Sequence, residues 1–287
     1  MAEAGDDLPS PYAADLNAGK VALVTGGGTG MGRATAIGLA RTGAKLVLMG
    51  RRTEVLEDCA DVITSLGAKA LCIQGDTREE DQIDAAMAAI KKHYGQLDIL
   101  VNNAGGQFVS AAKDLTNKGF AAVIRNNLIG SWQVTKAAAD AFMFENGGKV
   151  IFVTAAHRSG FRGFAHTASA RGGVSALMKS LAAEWAEYGI LLNAVAPGTI
   201  KVDAMAQYPI PPERWTAQKR NLLDRMGAPH DVANTIIFLA SALGDFITGE
   251  EWYVDGGETL NMAHDSRELI DDEMVEKRER AGGRVGS

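Results

Sequence analysis

Val21–Gly32 reads VALVTGGGTGMG, and a helical pattern from Arg33 to Thr42 follows at once. Val21–Thr25 is nearly continuous in β-rich apolar residues, as expected of a strand covered on both faces. The glycines behind it let the backbone turn tightly and come close to an anion. The first N–H groups of the next helix have no partner of their own and can receive negative charge. Strand, glycine-rich turn and helix in this order make the phosphate-binding unit of an open α/β sheet. Its lining would be Gly26, Gly28, Thr29, Gly30, Met31 and Gly32, with the glycines spaced TGxxxGxG.

The same rhythm continues outward. Lys45–Met49, Ala70–Gln74, Asp98–Val101, Val150–Thr154, Leu191–Val195 and Trp252–Val254 are further short apolar runs. Helical spacing separates them. Ile83, Ala86, Met87 and Ile90 share one face, as do Val174, Leu177, Met178, Leu181 and Trp185. Val232, Ile236, Leu239 and Ala240 mark a later helix after Pro229. Buried strands alternating with helices predict an α/β fold: a single doubly wound Rossmann domain with a parallel sheet of about seven strands. We place it at 19–262. Residues 1–18 read as a loosely docked N-terminal extension, and 263–287 as a charged C-terminal tail, a surface helix with a disordered end.

Composition narrows the function. Among 287 residues, 29 Lys and Arg against 35 Asp and Glu leave a net charge of −6, which argues against a nucleic-acid partner. Cys59 and Cys72 form neither a disulfide framework nor a metal-binding spacing, so no metal is expected. No apolar run approaches the ~20 residues of a membrane helix. The opening MAEAGDDLPSPYAADL is too acidic and polar for a secretory or transit signal. The expectation is a cytoplasmic protein acting on a small molecule. The second strand ends in Met49-Gly50-Arg51-Arg52, and the first carboxylate, Glu54, comes only in the next helix. An acidic residue at this strand end would bind the ribose 2′-hydroxyl of NAD(H), whereas a guanidinium suits a 2′-phosphate. Arg51 and Arg52 therefore favour NADP(H) over NAD(H).

These motifs resemble the short-chain dehydrogenase/reductase family from about Lys20 to Gly257. The match takes in Asn102-Asn103-Ala104-Gly105 after the fourth strand, Asp76-Thr77 after the third, Pro197-Gly198 after the sixth and the closing Val254-Asp255-Gly256-Gly257. The resemblance implies that Asp76 and Thr77 meet the adenine and that Asn103, Ala104 and Gly105 support the cofactor and the central sheet. Pro197, Gly198 and Ile200 would border the nicotinamide. Met205, Tyr208 and Ile210 are plausible substrate-pocket walls in the segment that follows. It also implies a homo-oligomer, a dimer or tetramer, formed through helices at 116–144 and 165–188 and through the last strand.

The catalytic pattern of the family, an Asn, a Ser and Tyr-x-x-x-Lys, is altered. Asn127 fits the Asn, to hold a water or orient the site. The Ser falls near Thr154 or Ala155, the Tyr becomes Thr167 and the Lys becomes Arg171. A Thr hydroxyl is far too weak an acid to replace a phenol, and Arg keeps its proton but can bind ribose and stabilise negative charge. The stretches around Ser169-Ala170-Arg171, Lys179–Trp185 and Pro197–Lys201 resemble the 2,4-dienoyl-CoA reductase branch, which also lacks that Tyr. It usually keeps the Lys, and an aromatic acid where this chain has Ala156. In such chemistry hydride goes to carbon and the enolate oxygen needs hydrogen-bond donors. Thr167, Thr154 and Arg171 are the candidate donors, and His157 and His166 are candidate acids. The expected activity is an NADP(H)-dependent reduction of a carbonyl or enoyl substrate, with an acyl-CoA thioester among the candidates. The alternative is a catalytically silent dinucleotide-binding sensor or partner subunit.

Overall fold

Seven parallel strands form one sheet: β1 (Val21–Thr25), β2 (Lys45–Gly50), β3 (Ala70–Gln74), β4 (Ile99–Asn102), β5 (Gly148–Val153), β6 (Ile190–Pro197) and β7 (Glu251–Val254). The computed structural model describes residues 10–158, 160–203, 205 and 221–261. The order is β3-β2-β1-β4-β5-β6-β7. The chain moves outward from β1 to β3, then returns to the other side of β1 with β4. This reversal leaves a crevice beyond the carboxyl ends of β1 and β4, where ligands bind in open α/β sheets.

Alternation along the strands divides the core. Val21 and Leu23 of β1 point to a cluster with Phe142, Phe152, Val174 and Met178. Ala22 and Val24 point to the opposite cluster, with Ile37, Leu39, Leu48 and Ile236. Side chains of this size contribute about 1.5–3 kcal/mol each when fully buried. The first face carries α3 (Glu80–Tyr94), a long helical segment α4 at 117–146, and α5 (Ala165–Trp185). The second carries α1 (Gly30–Arg41), α2 (Thr53–Ser65) and α6 (Pro229–Ala240). A short α7 (Glu258–Asn261) follows β7. Within α4, the turns Arg125–Ile129 and Ala139–Met143 are wound as π-helix. Such an inserted residue rotates the side chains after it and is frequent at functional sites.

Some boundaries differ from the sequence pattern. β4 starts at Ile99, because Asp98 is the anchor below it: its Oδ2 accepts the Val21 N–H at 2.8 Å and Oδ1 pairs with Lys20 at 3.2 Å. β5 starts at Gly148 and ends at Val153, leaving Thr154 just beyond the strand. Residues 10–18 are held more firmly than a loose arm. Tyr12 Oη donates to the Asn234 carbonyl at 2.9 Å. Asn17 is 1% exposed; its backbone N–H meets the Thr42 carbonyl at 2.7 Å and its Nδ2 donates to Thr42 Oγ1 at 2.8 Å. The tail at 263–287 lies outside the described residues, as do residues 1–9.

Asn17→Ala removes a buried hydrogen bond to the end of α1. It is expected to lower stability by about 1–2 kcal/mol, read as a lower urea midpoint with an unchanged slope.

Candidate active site

The turn at the end of β1 is shaped from two sides. Gly26 and Gly30 adopt φ of +64° and +53°, which a side chain would strain. A Cβ on Gly32 would collide with the Gly26 carbonyl and reach 2.5 Å from Asn103 Nδ2. Asn103 holds the turn from β4: its Nδ2 donates to the carbonyls of Thr25 at 2.9 Å and Gly26 at 3.2 Å. Thr25 Oγ1 receives the N–H groups of Asn103 and Ala104 at 3.1 and 3.0 Å. The first turn of α1 has no acidic residue, and the Thr29 side chain makes no capping bond. The helix terminus is therefore open to an anion. Glycines that no Cβ could replace, beside an uncapped helix start, suit a dinucleotide pyrophosphate, with Gly28 and Met31 in the same turn.

At the far end, Arg51 and Arg52 leave β2 exposed, and Gln74 Nε2 bonds the Arg51 carbonyl at 3.2 Å. Asp76 is committed to Arg78 through a two-pronged ion pair, and Thr77 is buried beside Gly130.

Arg171 occupies the centre. It is 8% exposed on α5, and its Nη1 donates to the Val153 carbonyl at 2.6 Å. Its Nη2 lies so close over Gly105 that any Cβ there would collide with it, and Asn127 Oδ1 sits 2.6 Å from the same point. Burial lowers the Arg171 pKa to about 10, with no opposing carboxylate to raise it, so the guanidinium stays cationic at neutral pH. Among the described residues it forms no ion pair, and the Val153 carbonyl is its hydrogen-bond acceptor. The remaining N–H groups have no acceptor among the described residues.

Asn127 lies in the π-wound turn of α4, 1% exposed. Its Nδ2 donates to the carbonyls of Gly106 at 2.8 Å and Val123 at 2.9 Å, while Oδ1 accepts the Gly106 N–H at 3.3 Å. Both amide protons are thus occupied. The side chain orients the loop beneath Arg171 and has no proton left to hold a water. Thr167, 2% exposed in the first turn of α5, places its hydroxyl 3.1 Å from His166 Nδ1. That same nitrogen accepts the Thr167 backbone N–H at 2.7 Å. His166 is fully buried against Phe108, and desolvation pushes its pKa below the usual imidazole range. It therefore stays neutral at pH 7 and serves as an acceptor that positions Thr167, not as an acid. His157 Nδ1 sits 2.7 Å from the Ala155 carbonyl, with Nε2 beside Gly172.

Thr154 departs from its expected role. Its hydroxyl donates to Glu251 Oε1 at 2.7 Å, the oxygen that Ser175 Oγ also meets at 2.7 Å. One hydroxyl carries one proton, and here a carboxylate from β7 takes it. Thr154 ties β5 to β7 and α5 instead of donating to a substrate. Ile200 is 8% exposed, and its Cδ1 fills the space that a Cβ on Gly227 would take, so its side chain packs inward. Beside it, Gly198 N–H bonds the Val254 carbonyl at 3.1 Å, closing the loop after Pro197 onto β7. Glu258 of α7 holds that loop through the Thr199 N–H at 2.7 Å and Oγ1 at 2.9 Å. Met205 is half-buried, while Tyr208 and Ile210 lie outside the described residues. Glu251, Glu258 and Arg78 escaped the sequence reading because ordinary surface carboxylates and guanidinium groups carry no local signal; only the fold brings them to the site.

Gly105→Ala is expected to force Arg171 or Asn127 out of place, at a cost of about 1–3 kcal/mol. A thermal melt of the variant checks the loss.

Comparison with known proteins agrees with this architecture. A family model described as enoyl-(acyl carrier protein) reductase matches residues 26–259. The chain is 32% identical over 288 residues to a peroxisomal 2,4-dienoyl-CoA reductase of Arabidopsis thaliana, spanning 96% of this chain and 97% of that protein. It is 33% identical over 261 residues to a glucose 1-dehydrogenase of Gluconobacter oxydans, spanning 88% and 96%. The solved structure of a citronellol catabolism dehydrogenase of Pseudomonas aeruginosa superposes with a TM-score of 0.79 at 35% identity, covering 87% of this chain and 99% of that one. A glycine turn stitched to β4 by Asn103, a seven-stranded parallel sheet and full-length likeness to these enzymes agree on one conclusion: the chain belongs to the short-chain dehydrogenase/reductase family of nicotinamide-dependent oxidoreductases.

Proposed function

We propose that the protein is an NADP(H)-dependent reductase of conjugated enoyl or dienoyl thioesters, with an acyl-CoA as the substrate class. One observation carries the reading: a buried, cationic Arg171 with N–H groups to spare stands where the family's Lys would be, beside Thr167 in the place of the acidic Tyr. Reversible alcohol–ketone chemistry needs a group that passes a proton at the reacting oxygen, and a Thr hydroxyl is too weak an acid for that. Conjugate reduction has a different requirement. Negative charge gathers on the thioester oxygen, and hydrogen-bond donors must meet it there.

The chain's own groups suit that task. The helix start at Thr29 and the Gly26–Gly32 turn would hold the pyrophosphate, and Arg51 and Arg52 would hold the 2′-phosphate. When bound, the reduced nicotinamide would supply hydride to the substrate carbon, and a proton taken from solvent at an enolate carbon would complete the reduction. Arg171 directs positive charge at the enolate oxygen, in a site where burial strengthens the attraction. The Thr167 hydroxyl, 3.1 Å from His166 Nδ1 at rest, would donate to the more basic enolate oxygen in the transition state. Asn127 fixes Gly106 and the loop under the guanidinium. The likeness to 2,4-dienoyl-CoA reductases supports the thioester class.

The test is NADPH oxidation, followed by absorbance, with dienoyl-, enoyl- and ketoacyl-thioesters. Loss of absorbance with dienoyl- or enoyl-thioesters and none with simple ketones is the expected result. Coenzyme binding without turnover of any thioester would overturn the reading in favour of a silent dinucleotide-binding protein. Arg171→Gln keeps hydrogen-bond donors but removes the charge, and should lower kcat roughly 10²- to 10³-fold. The active form has Arg171 protonated, so with regard to this group kcat/KM stays level from neutral pH upward. Burial lowers the Arg171 pKa but leaves the cation in place, so wild type and Arg171→Gln should share the same pH profile at different heights.

A further inference from the structure

β2 and β3 run parallel with Gly50 opposite Gln74. The residues leaving these strands therefore emerge side by side, Arg51 and Arg52 on one, Gly75 and Asp76 on the other. The Gly75 N–H bonds the Gly50 carbonyl at 2.9 Å, which holds the two exits together. A carboxylate at Asp76 thus stands next to the guanidinium pair, and adjacent strands are only about 4.8 Å apart.

That carboxylate is fully engaged. Asp76 Oδ1 accepts Arg78 N at 3.0 Å and Nε at 2.9 Å, and Oδ2 accepts Arg78 Nη2 at 2.5 Å. This is the fork-on-fork geometry in which a guanidinium binds a carboxylate most strongly. The turn is braced from outside as well. Gln82 Oε1 receives the Asp76 N–H at 2.9 Å, and Arg125 Nη2 bonds the Arg78 carbonyl at 3.1 Å and Glu79 at 3.2 Å. Arg51 and Arg52, by contrast, form no direct ion pair among the described residues, and Arg51 meets the Asp76 charge only through space. The Asp76 charge is paired directly by Arg78, which leaves less of it to offset Arg51.

We propose that Arg78 is a determinant of coenzyme choice: it pairs the Asp76 carboxylate, so that the adenosine end keeps the net positive charge that a 2′-phosphate needs. Hydrogen bonds from Arg78 also hold the Asp76 carboxyl below the usual carboxylate range. Without Arg78 the group would still be ionised at neutral pH, and its charge would oppose the phosphate. A 2′-hydroxyl carries no charge to be repelled, and could donate to the freed carboxylate. The proposal rests on the NADP(H) reading above, yet it is judged by a different quantity: the change in preference on substitution, not the preference itself.

Calorimetric titration of NADPH and NADH into the full-length protein provides the test. Arg78→Gln should shift the NADPH-to-NADH affinity ratio about tenfold toward NADH. Arg78→Lys, which keeps the charge, should shift it little. Arg78→Gln combined with Asp76→Asn should restore the starting ratio, and Asp76→Asn alone should move the ratio toward NADPH. Equal weakening of both coenzymes in Arg78→Gln, or no restoration in the double variant, would overturn the proposal and leave Arg78 a structural brace. A wild-type preference for NADH would overturn the coenzyme reading alone, because the substitution-induced shift would still report on Arg78.

Discussion

The bridge from Asn103 to the carbonyls of Thr25 and Gly26 is the contact on which the rest depends. It crosses the point where the strand order reverses, between β1 and β4. It joins the bond from the Gly26 N–H to the Met49 carbonyl, so the glycine turn is held from β4 as well as from β2. With it, the carbonyls point into the fold and the N–H groups at the start of α1 are left facing the crevice. Thr25 completes the exchange by accepting two N–H groups from the β4 loop. One amide and one hydroxyl thus fix the glycine turn and the loop after β4 relative to one another.

The floor of that loop continues to the buried charge. Asn127 clamps Gly106 from both sides, and Gly105 has no side chain because Arg171 and Asn127 fill that space. A guanidinium taken out of water without a carboxylate partner is costly. The fold tolerates the cost here because the sheet, α4 and α5 enforce the geometry, and such enforced strain clusters at working sites. In the proposed reaction, a positive charge held in place by burial would need no reorganisation when negative charge develops beside it. At the exits of β2 and β3 the arrangement is the opposite: a carboxylate, Asp76, is paired directly with Arg78 beside Arg51 and Arg52.

Much of the scaffold could be read from residue patterns. VALVTGGGTGMG carries its own structure, because an apolar run, a glycine turn and a helix start are each decided by near neighbours. Ile83, Ala86, Met87 and Ile90 disclose α3 in the same way, and all four are buried. Boundaries were harder. Asp98 looks like the first residue of a strand, yet its side chain finds Val21 and Lys20, far away in sequence. The N-terminal extension reads as loose because Asn17 and Tyr12 show no periodicity; their partners, Thr42 and Asn234, are distant in the chain.

The site divides along the same line. The linear order of residues determined the phosphate turn, the Arg51-Arg52 pair and the presence of Thr167 and Arg171 one helical turn apart, because these features involve spacings of a few residues. Only the tertiary structure decided which acceptors the site's donors meet: Glu251 for the Thr154 hydroxyl, Gly106 and Val123 for the Asn127 amide. A hydrogen bond depends on direction and on distances of a few tenths of an ångström. Those are set by how strands and helices pack, and β7 reaches Thr154 only once the whole sheet has formed.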